Sequence, residues 1–348
     1  MKTNLLYYGD NLKVLRERID DESVDLVYID PPFNSARDYF VIFKDRTGSD
    51  SQAQVEAFTD TWRWGTESEI VYRDLIRQPN GELRACIEAL KTMLGTSPMM
   101  AYVVAMAIRL VEIHRVLKPT GSFYLHCDPT ASHYLKILSD SVFGPPNFKN
   151  EIVWKRTSSH NDAKNKFADV TDTIFFYTKS SNYRFERIFV DYSDEYVEQY
   201  YRHIDAAGRR YCIDNLRSPS PRPNLTYDYK GYKPHPNGWS VSREKMEEMD
   251  RQGKLHFPAS KEGRIRAKRY LDEMPGMPVG NLWDDIKPVQ AQARERLGYP
   301  TQKPLALLRR ILEASSNPDD VVLDAFCGCG TTVHAAHQLG RRWIGIDI

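Results

Sequence analysis

The chain has 348 residues, and its 48 Lys and Arg residues nearly balance its 47 Asp and Glu residues, so the formal net charge is +1. With 41% hydrophobic and 27% charged residues, the composition is that of a globular protein with a real core. No run of about 18 apolar residues occurs, which excludes a membrane span. Five cysteines in so long a chain do not make a disulfide framework, so we expect a reducing, cytoplasmic setting.

The charge is distributed unevenly along the chain. Residues 1–150 hold 17 basic and 20 acidic side chains, residues 151–270 hold 23 and 17, and residues 271–348 hold 8 and 10. The net charges are therefore −3, +6 and −2, and the middle segment also contains 11 of the 20 tyrosines. A basic, aromatic segment between two mildly acidic ones points to a nucleic-acid partner that the overall charge conceals.

Strand-like and helix-like segments alternate in both outer parts of the chain. Strands are predicted at 3–8, 23–29 and 122–126, with helices at 11–19, 99–117 and 131–142. Residues 34–80 are expected to form a long polar loop with short helices. After about residue 283, helices are predicted at 304–315 and 331–339, with strands at 321–323 and 342–346. This alternation predicts a doubly wound α/β sheet that is split in sequence by the basic insertion.

A glycine-containing loop follows the predicted strand 321–323 and leads directly into a helix. It runs from Asp324 through Phe326, Gly328 and Gly330, and a second predicted strand ends at Asp347. Glycines two apart allow close backbone approach to a ligand, and an acidic residue about 20 positions further on can bind a ribose. The third glycine of the dinucleotide fingerprint is replaced by Val333, which favours a nucleoside without phosphates, such as S-adenosylmethionine. The alternative is an ordinary tight turn.

The segment Asp30-Pro31-Pro32-Phe33 follows the predicted buried strand 23–29. Two prolines force the chain out of the sheet and make a stiff loop. Such a loop can aim a carboxylate and a carbonyl at one exocyclic amine, and the following ring can stack on a planar base. The segment therefore indicates a pocket for a flipped nucleobase. A strand-ending turn, with Asp30 as a cap and Phe33 in the core, is the alternative.

Taken together, these motifs resemble those of the amino-group DNA methyltransferases of the permuted β class. In that family a (D/N/S)-PP-(Y/F/W) motif precedes the cofactor motif F-x-G-x-G, with the target-recognition region between them. The segments Tyr7–Asn11, Gly121–Asp128 and Tyr299–Pro304 also resemble elements of this class. The resemblance implies a Rossmann-like methyltransferase domain in circularly permuted order. Its catalytic half would be 1–150, its target-recognition insertion 151–282 and its cofactor-binding half 283–348.

The resemblance also implies a role for each matching residue. Phe33 would stack on the extruded base, while Asp30 and the Pro31 carbonyl would accept hydrogen bonds from the target amine, without a covalent intermediate. The implied catalytic set is Asp30, Pro31, Pro32 and Phe33. The implied cofactor-binding set is Asp10, Thr301, Lys303, Asp324, Phe326, Gly328, Gly330, Thr331 and Asp347. The candidates for DNA binding are Lys155, Arg156, Arg209, Arg210, Arg217 and Arg222. Asp10 could equally serve as a helix N-cap, and Lys303 could be a solvated lysine.

The function implied by the resemblance is site-specific methylation of adenine N6 in double-stranded DNA, with S-adenosylmethionine as the methyl donor. Aspartate at position 30 favours adenine, because cytosine-N4 enzymes of this class more often carry serine there. Cytosine-N4 methylation, a modification subunit that needs a restriction partner, and an inactive DNA-binding module stay open. A restriction subunit or a second copy of the chain are the candidate protein partners. Cys327 and Cys329 lack a second ligand pair at metal-site spacing, so no metal is expected.

The family continues beyond the acidic strand end with a further helix, whereas this sequence stops at Ile348. We therefore expect the sequence to be truncated at its C-terminus, which would leave part of the sheet uncovered.

Overall fold

The structure of the protein is a computed structural model that describes residues 2–32, 38–41, 55–59, 62–158, 165–290, 292–299 and 301–347. The strands, in chain order, are β1 (Leu5–Tyr8), β2 (Val24–Ile29), β3 (Asp38–Val41), β4 (Val55–Thr59), β5 (Leu117–Cys127), β6 (Phe148–Lys155), β7 (Thr171–Thr178), β8 (Phe189–Val190), β9 (His203–Ile204), β10 (Arg210–Asn215), β11 (Leu255–His256), β12 (Arg266–Tyr270), β13 (Met277–Pro278), β14 (Leu282–Trp283), β15 (Val321–Asp324) and β16 (Arg342–Asp347). The helices are α1 (Asn11–Arg18), α2 (Thr66–Ile76), α3 (Gly81–Leu94), α4 (Pro98–Val116), α5 (Ser132–Phe143), α6 (Asp194–Tyr200), α7 (Arg243–Arg251), α8 (Leu305–Ser315) and α9 (Thr331–Gln338).

Eight strands form one sheet in the order β1-β16-β15-β2-β5-β7-β6-β14. Neighbours from β1 to β5 are parallel, and β7 runs antiparallel to both β5 and β6. From β2 the chain proceeds outward to β5, whereas from β15 it proceeds outward in the other direction to β16. The pair β15/β2 is therefore the topological switch point, where ligands bind in sheets of this kind. The predicted doubly wound sheet in permuted order is confirmed.

Both faces of the central strands are buried. Val27 and Ile29 of β2 belong to one apolar core together with side chains of α1, α3, α4 and α5. On β5, Tyr124 points to the other face, and its hydroxyl lies 2.7 Å from the Ser315 hydroxyl at the end of α8. Because successive strand residues face opposite sides, a strand covered on both faces must be apolar throughout. This requirement explains the continuous apolar runs that the sequence places at β2 and β15.

The described part of the chain contains structure that the sequence did not predict. Strands β6 and β7 arise from residues assigned to the insertion, α3 was not predicted, and β3 and β4 pair within the expected polar loop. The aromatic residues Phe175, Phe176 and Tyr177 would suit a DNA-contacting surface as well as a buried strand. In the structure they are buried in the large sheet, with at most 4% exposed.

Residues 189–279 form a compact unit of their own, whereas residues 1–188 and 280–348 form the other. The unit of residues 189–279 is narrower than the predicted insertion 151–282. It contains a four-stranded sheet in the order β11-β12-β10-β9 and a small core around the buried Trp239, Met246 and Ile265. Within the described residues, no helix combines the length and apolar character needed to cross a membrane.

Truncation of a fully buried leucine in the central strand β15 tests this packing. Leu323 is 0% exposed, so Leu323→Ala removes its transfer free energy and leaves a cavity, which should lower the free energy of unfolding by about 2–5 kcal/mol. Leu6 on the edge strand β1 is 67% exposed, so Leu6→Ala should cost less than about 1 kcal/mol. Urea denaturation followed by circular dichroism measures both, and similar losses for the two variants would contradict the assignment of β15 to the core.

Candidate active site

Two loops meet at the switch point because β15 and β2 are neighbours in register. Val322 pairs with Leu26 and Leu323 pairs with Val27, so the two strands end at the same edge of the sheet. Asp30 follows β2, and Asp324 is the last residue of β15. Burial is the main reason why the pKa of Asp324 is raised, and the nearby negative charge of Asp30 raises it further. The two motifs predicted from sequence therefore converge at one edge of the sheet.

The loop after β15 is held by hydrogen bonds within the loop, one to a side chain and one to the backbone. Asp324 accepts a hydrogen bond from the Phe326 amide at 3.0 Å, and the Gly330 amide donates to the Cys327 carbonyl at 2.7 Å. Gly328 and Gly330 have φ values of +50° and +83°, which side chains rarely tolerate. A Cβ on Gly328 would lie 3.1 Å from the Tyr299 ring, whereas one on Gly330 would have nothing within 4 Å. The loop therefore presents open space at the start of α9.

Asp347, at the end of β16, joins this loop to the beginning of the chain. Its carboxylate accepts a hydrogen bond from the Gly328 amide, and its carbonyl accepts one from the Gly9 amide at 2.9 Å. The Cys327 amide in turn donates to the Ile346 carbonyl at 3.1 Å. The acidic strand end predicted to bind a ribose is thus in direct contact with the glycine loop.

The turn before α1 reaches the same loop through a residue that the sequence analysis did not select. Asn11 is 6% exposed, and its side chain donates to the Ala325 carbonyl at 2.7 Å and accepts from Arg109 at 2.6 Å. Asp10 is the N-cap of α1, accepting from the Lys13 amide at 3.0 Å, and its carboxylate also lies 3.2 Å from Arg109. Asp10 is therefore a helix cap next to the residue that contacts the glycine loop, as the sequence allowed.

The structure pairs Asp30 with Lys303. The Lys303 ammonium forms an ion pair with Asp30 Oδ2, and the two side chains are 9% and 17% exposed. Asp30 Oδ1 is buried and has no hydrogen-bond partner among the described residues. Pro31 is buried, Phe33 lies outside the described residues, and Thr301 is exposed with a φ of +62°. Lys303, which the resemblance assigns to the cofactor-binding set, thus contacts the catalytic candidate Asp30.

Sequence analysis missed a series of buried polar contacts that begins at Tyr28, two residues before Asp30. The Tyr28 hydroxyl is 2.9 Å from His126 Nδ1, and His126 Nε2 is 3.1 Å from Asp172 Oδ2. Arg156 reaches the other oxygen of Asp172 at 3.0 Å. Burial alone raises the pKa of Asp172, but the hydrogen bond from His126 and the positive charges nearby hold that pKa below its usual range. In the sequence, only His126, at the end of a predicted strand, indicates this series of polar contacts.

The cysteines of the loop are unsuited to nucleophilic attack. Burial raises the pKa of both Cys327 and Cys329, and the neighbouring carboxylates raise them further. A thiol with a raised pKa is protonated at neutral pH and is a weak nucleophile. Neither cysteine is therefore a candidate nucleophile.

The basic residues predicted to contact DNA differ in their surroundings. Arg156 pairs with the buried Asp172, and Arg209 lies 2.8 Å from Asp272 and 3.0 Å from Glu273. The remaining four are exposed, namely Lys155, Arg210, Arg217 and Arg222. DNA contact by any of the six stays a prediction.

A sheet whose parallel strands bring these two motifs side by side at its switch point is the arrangement expected of a DNA methylase. The family model described as DNA methylase matches residues 24–348, and the chain belongs to that family. It is 34% identical over 249 residues to the type II methyltransferase M.EcaI of Enterobacter cloacae, covering 71% of this chain and 54% of that protein.

Two further relatives match almost the whole chain. The Mod subunit of the type III restriction-modification enzyme StyLTI of Salmonella typhimurium is 27% identical, covering 97% of this chain and 50% of that protein. The DNA adenine methyltransferase YhdJ of Escherichia coli is 26% identical, covering 99% of this chain and 78% of that protein. The chain thus spans about half the length of M.EcaI and of the StyLTI subunit.

The buried Asp324 predicts a pH dependence of stability. Burial raises its pKa from 3.8 to about 7, opposed by hydrogen bonds from Thr332 and Phe326. The native state therefore holds a proton that the unfolded state releases near pH 4. The resulting stabilisation is complete below about pH 4 and is lost as the pH rises towards 7, by at most about 1.4 kcal/mol per pH unit.

Asp324→Asn should remove this contribution. Urea unfolding at pH 5, 6, 7 and 8 is expected to show the wild type losing stability relative to the variant up to pH 7, with no further change above it. Asp284→Asn, which alters an exposed carboxylate, serves as the control. A constant difference between wild type and Asp324→Asn across this range would contradict the raised pKa.

Proposed function

We propose that the chain is the catalytic part of a site-specific DNA methyltransferase. It would transfer a methyl group from S-adenosylmethionine to N6 of an adenine flipped out of duplex DNA. The observation that carries this proposal is the placement of Asp30 beside the glycine loop, with one carboxylate oxygen held by Lys303 and the other buried without a partner among the described residues. A buried acceptor of this kind needs a donor, and an exocyclic amine supplies one.

The residues around the glycine loop fit a nucleoside cofactor. Gly330 has open space beside it at the N-terminus of α9, and Asp347 lies at the neighbouring strand end against Gly328. In the proposed site Gly328, Gly330 and Thr331 surround the methionine part, Asp347 binds the ribose and Asp10 lies at the adenine end. Asp324 shapes the loop, with Phe326, Thr301 and Lys303 at its border. S-adenosylmethionine would supply an electrophilic methyl group.

Asp30 acts on the amine of the target base. The lone pair of an aromatic amine is delocalised into the ring, which makes the nitrogen a poor nucleophile. Asp30 Oδ1 and the Pro31 carbonyl would each accept a hydrogen bond from one N–H of the amine. These two bonds favour a nitrogen whose lone pair points at the methyl group. Phe33 would stack on the extruded base and Pro32 would stiffen the loop. These residues thus orient the amine without forming a covalent bond to it.

Lys303 would prepare the carboxylate for this task. Its ammonium occupies Oδ2 and fixes the plane of the carboxylate, so that Oδ1 is directed to one partner. Charge-assisted hydrogen bonds of this kind are roughly twice as strong as neutral ones, which keeps the group oriented. In this proposal Lys303 positions Asp30 in addition to bordering the cofactor.

Adenine is the proposed target base, and the proposed protein partner is taken from what the relatives' names state. Aspartate at position 30 favours adenine over cytosine, and the name of YhdJ specifies adenine. The StyLTI relative is a Mod subunit, so we propose a restriction subunit as the partner in preference to a second copy of this chain. We place the protein in the cytoplasm, where DNA is its substrate. Methylation by the purified chain alone would show that no partner is obligatory.

Asp30→Ala tests the assignment of the amine-binding loop. Loss of the acceptor should lower the rate of methyl transfer by roughly 100-fold or more, because a transition-state hydrogen bond disappears. The affinity for S-adenosylmethionine, measured by calorimetry, should change by no more than a few-fold. Asp284→Ala removes an exposed carboxylate and should leave both quantities unchanged. Parallel loss of transfer and cofactor binding in Asp30→Ala would place this loop in the cofactor site instead.

The chemical identity of the product tests the target base. DNA methylated by the protein and digested to nucleosides should contain N6-methyladenine, which mass spectrometry separates from N4-methylcytosine. DNA incubated with the Asp30→Ala variant provides the blank. N4-methylcytosine without N6-methyladenine would overturn the adenine proposal while leaving the methyltransferase proposal intact.

A further inference from the structure

The compact unit of residues 189–279 contains a groove that the proposed chemistry does not use. It has a volume of about 240 Å³, below the range of roughly 300–1,000 Å³ that is usual for sites binding drug-sized molecules. It lies where β10 ends and β12 begins, two antiparallel strands in which Asn215 is opposite Arg266. Its lining consists of Asn215, Leu216, Arg217, His235, Trp239, Arg264, Ile265 and Arg266.

Strand alternation explains why this lining is polar on its outer side. Leu216 and Ile265 are 5% and 1% exposed and pack with Trp239 in the core of the unit. The residues beside them in sequence point the other way, because successive side chains in extended chain face opposite sides. The outward set is exposed and consists of Asn215, Arg217, Arg264 and Arg266. One apolar layer thus supports three guanidinium groups and an amide on a common face.

The cations of the unit differ in their charge balance, and five of them are paired with carboxylates of the described chain. Arg209 lies 2.8 Å from Asp272, Lys254 lies 2.6 Å from Glu273 and Arg269 lies 2.6 Å from Asp214. Arg251 and Lys230 are likewise paired with carboxylates.

By contrast, no carboxylate among the described residues pairs with Arg217, Arg264 or Arg266. Their field is felt in the groove, where partial burial lowers the pKa of His235 and the charges of Arg264 and Arg217 lower it further. Three like charges at one place, without a counter-charge from the described part of the chain, call for an anion from outside.

We propose that this groove binds backbone phosphates of the DNA substrate through Arg217, Arg264 and Arg266. The inference rests on the proposed function, since it names the part of the substrate that the groove would hold. Planar guanidinium groups bind phosphate oxygens in pairs, and the Asn215 amide adds a neutral donor at the same face. Arg209 is not part of this proposed phosphate site, because Asp272 and Glu273 already balance its charge. Its guanidinium lies 3.9 Å from the centre of the Tyr270 ring.

The salt dependence of DNA binding tests the assignment to phosphates. Each phosphate that the protein neutralises releases counterions, so the slope of log K against log salt concentration becomes shallower by about 0.9 for each phosphate left without its arginine. The full chain is titrated with fluorescent duplex DNA between 50 and 200 mM salt. The triple variant Arg217→Gln, Arg264→Gln, Arg266→Gln should show a slope shallower by about 2 to 3 than the wild type.

Two kinds of control accompany this variant. Arg251→Gln removes an exposed arginine that is paired with Glu248, and its slope should stay at the wild-type value. Replacing the three groove arginines with lysine keeps the charges, and most of the slope should return. Unchanged binding of S-adenosylmethionine shows that the glycine loop is intact in each variant.

An unchanged slope in the triple glutamine variant would overturn the proposal. So would a changed preference among methylated sites at constant slope, since that result would mean that the arginines contact base edges. The proposed function fails in a different way. In that case the wild type itself would neither bind duplex DNA nor methylate it, whatever the groove variants do.

Discussion

The pairing of β15 with β2 is the contact on which the site depends. Val322 lies opposite Leu26 and Leu323 opposite Val27, so both strands release their loops at the same edge and at the same height. A shift of the register by one residue would turn every side chain of the strand to the opposite face. Because Val27 and Leu323 are fully buried, such a shift would expose apolar surface, and the register is therefore strongly specified. Packing in the core thus determines how the loop that begins with Asp30 faces the glycine loop.

Three carboxylates lie at the ends of β2, β15 and β16, and the fold stabilises each of them in a different way. Burial raises the pKa of Asp324, and the charges of Asp30 and Asp347 are close enough to raise that pKa further. Asp324 responds by holding its proton more tightly, Asp30 is paired with Lys303, and Asp347 accepts a hydrogen bond from the Gly328 amide. Two ionised carboxylates side by side in a buried site are costly in free energy. Each carboxylate is therefore stabilised in a different way. The unequal surroundings give three chemically identical side chains different tasks.

Much of the fold was predictable because its signals are local. The buried strands are visible in the sequence as apolar runs, and the Asp30-Pro31-Pro32-Phe33 segment and the glycine loop each occupy a few consecutive residues. The contacts that sequence analysis missed join distant positions, such as Lys303 to Asp30 across 273 residues and Asn11 to Ala325 across 314. No local pattern encodes such a pair.

The aromatic strand β7 shows a different limit of sequence analysis. Its rings suit a DNA-binding surface and a buried strand equally well, and the choice between them is made by tertiary packing. Asp172 in the same strand looks like one acidic residue of a basic insertion, although it completes the buried chain from Tyr28 through His126.

The order of strands has a consequence for biosynthesis. The Asn4 side chain accepts a hydrogen bond from the Trp343 amide, 339 residues away, and Val321 contacts Asp25 across 296 residues. Strands β1 and β2 therefore emerge from the ribosome long before β15 and β16, which they flank. Until β15 and β16 are made, one edge of β2 has exposed backbone groups and apolar side chains. We expect the nascent chain to need protection at that edge, and to bring the Asp30 loop and the glycine loop together only after β15 and β16 have been made.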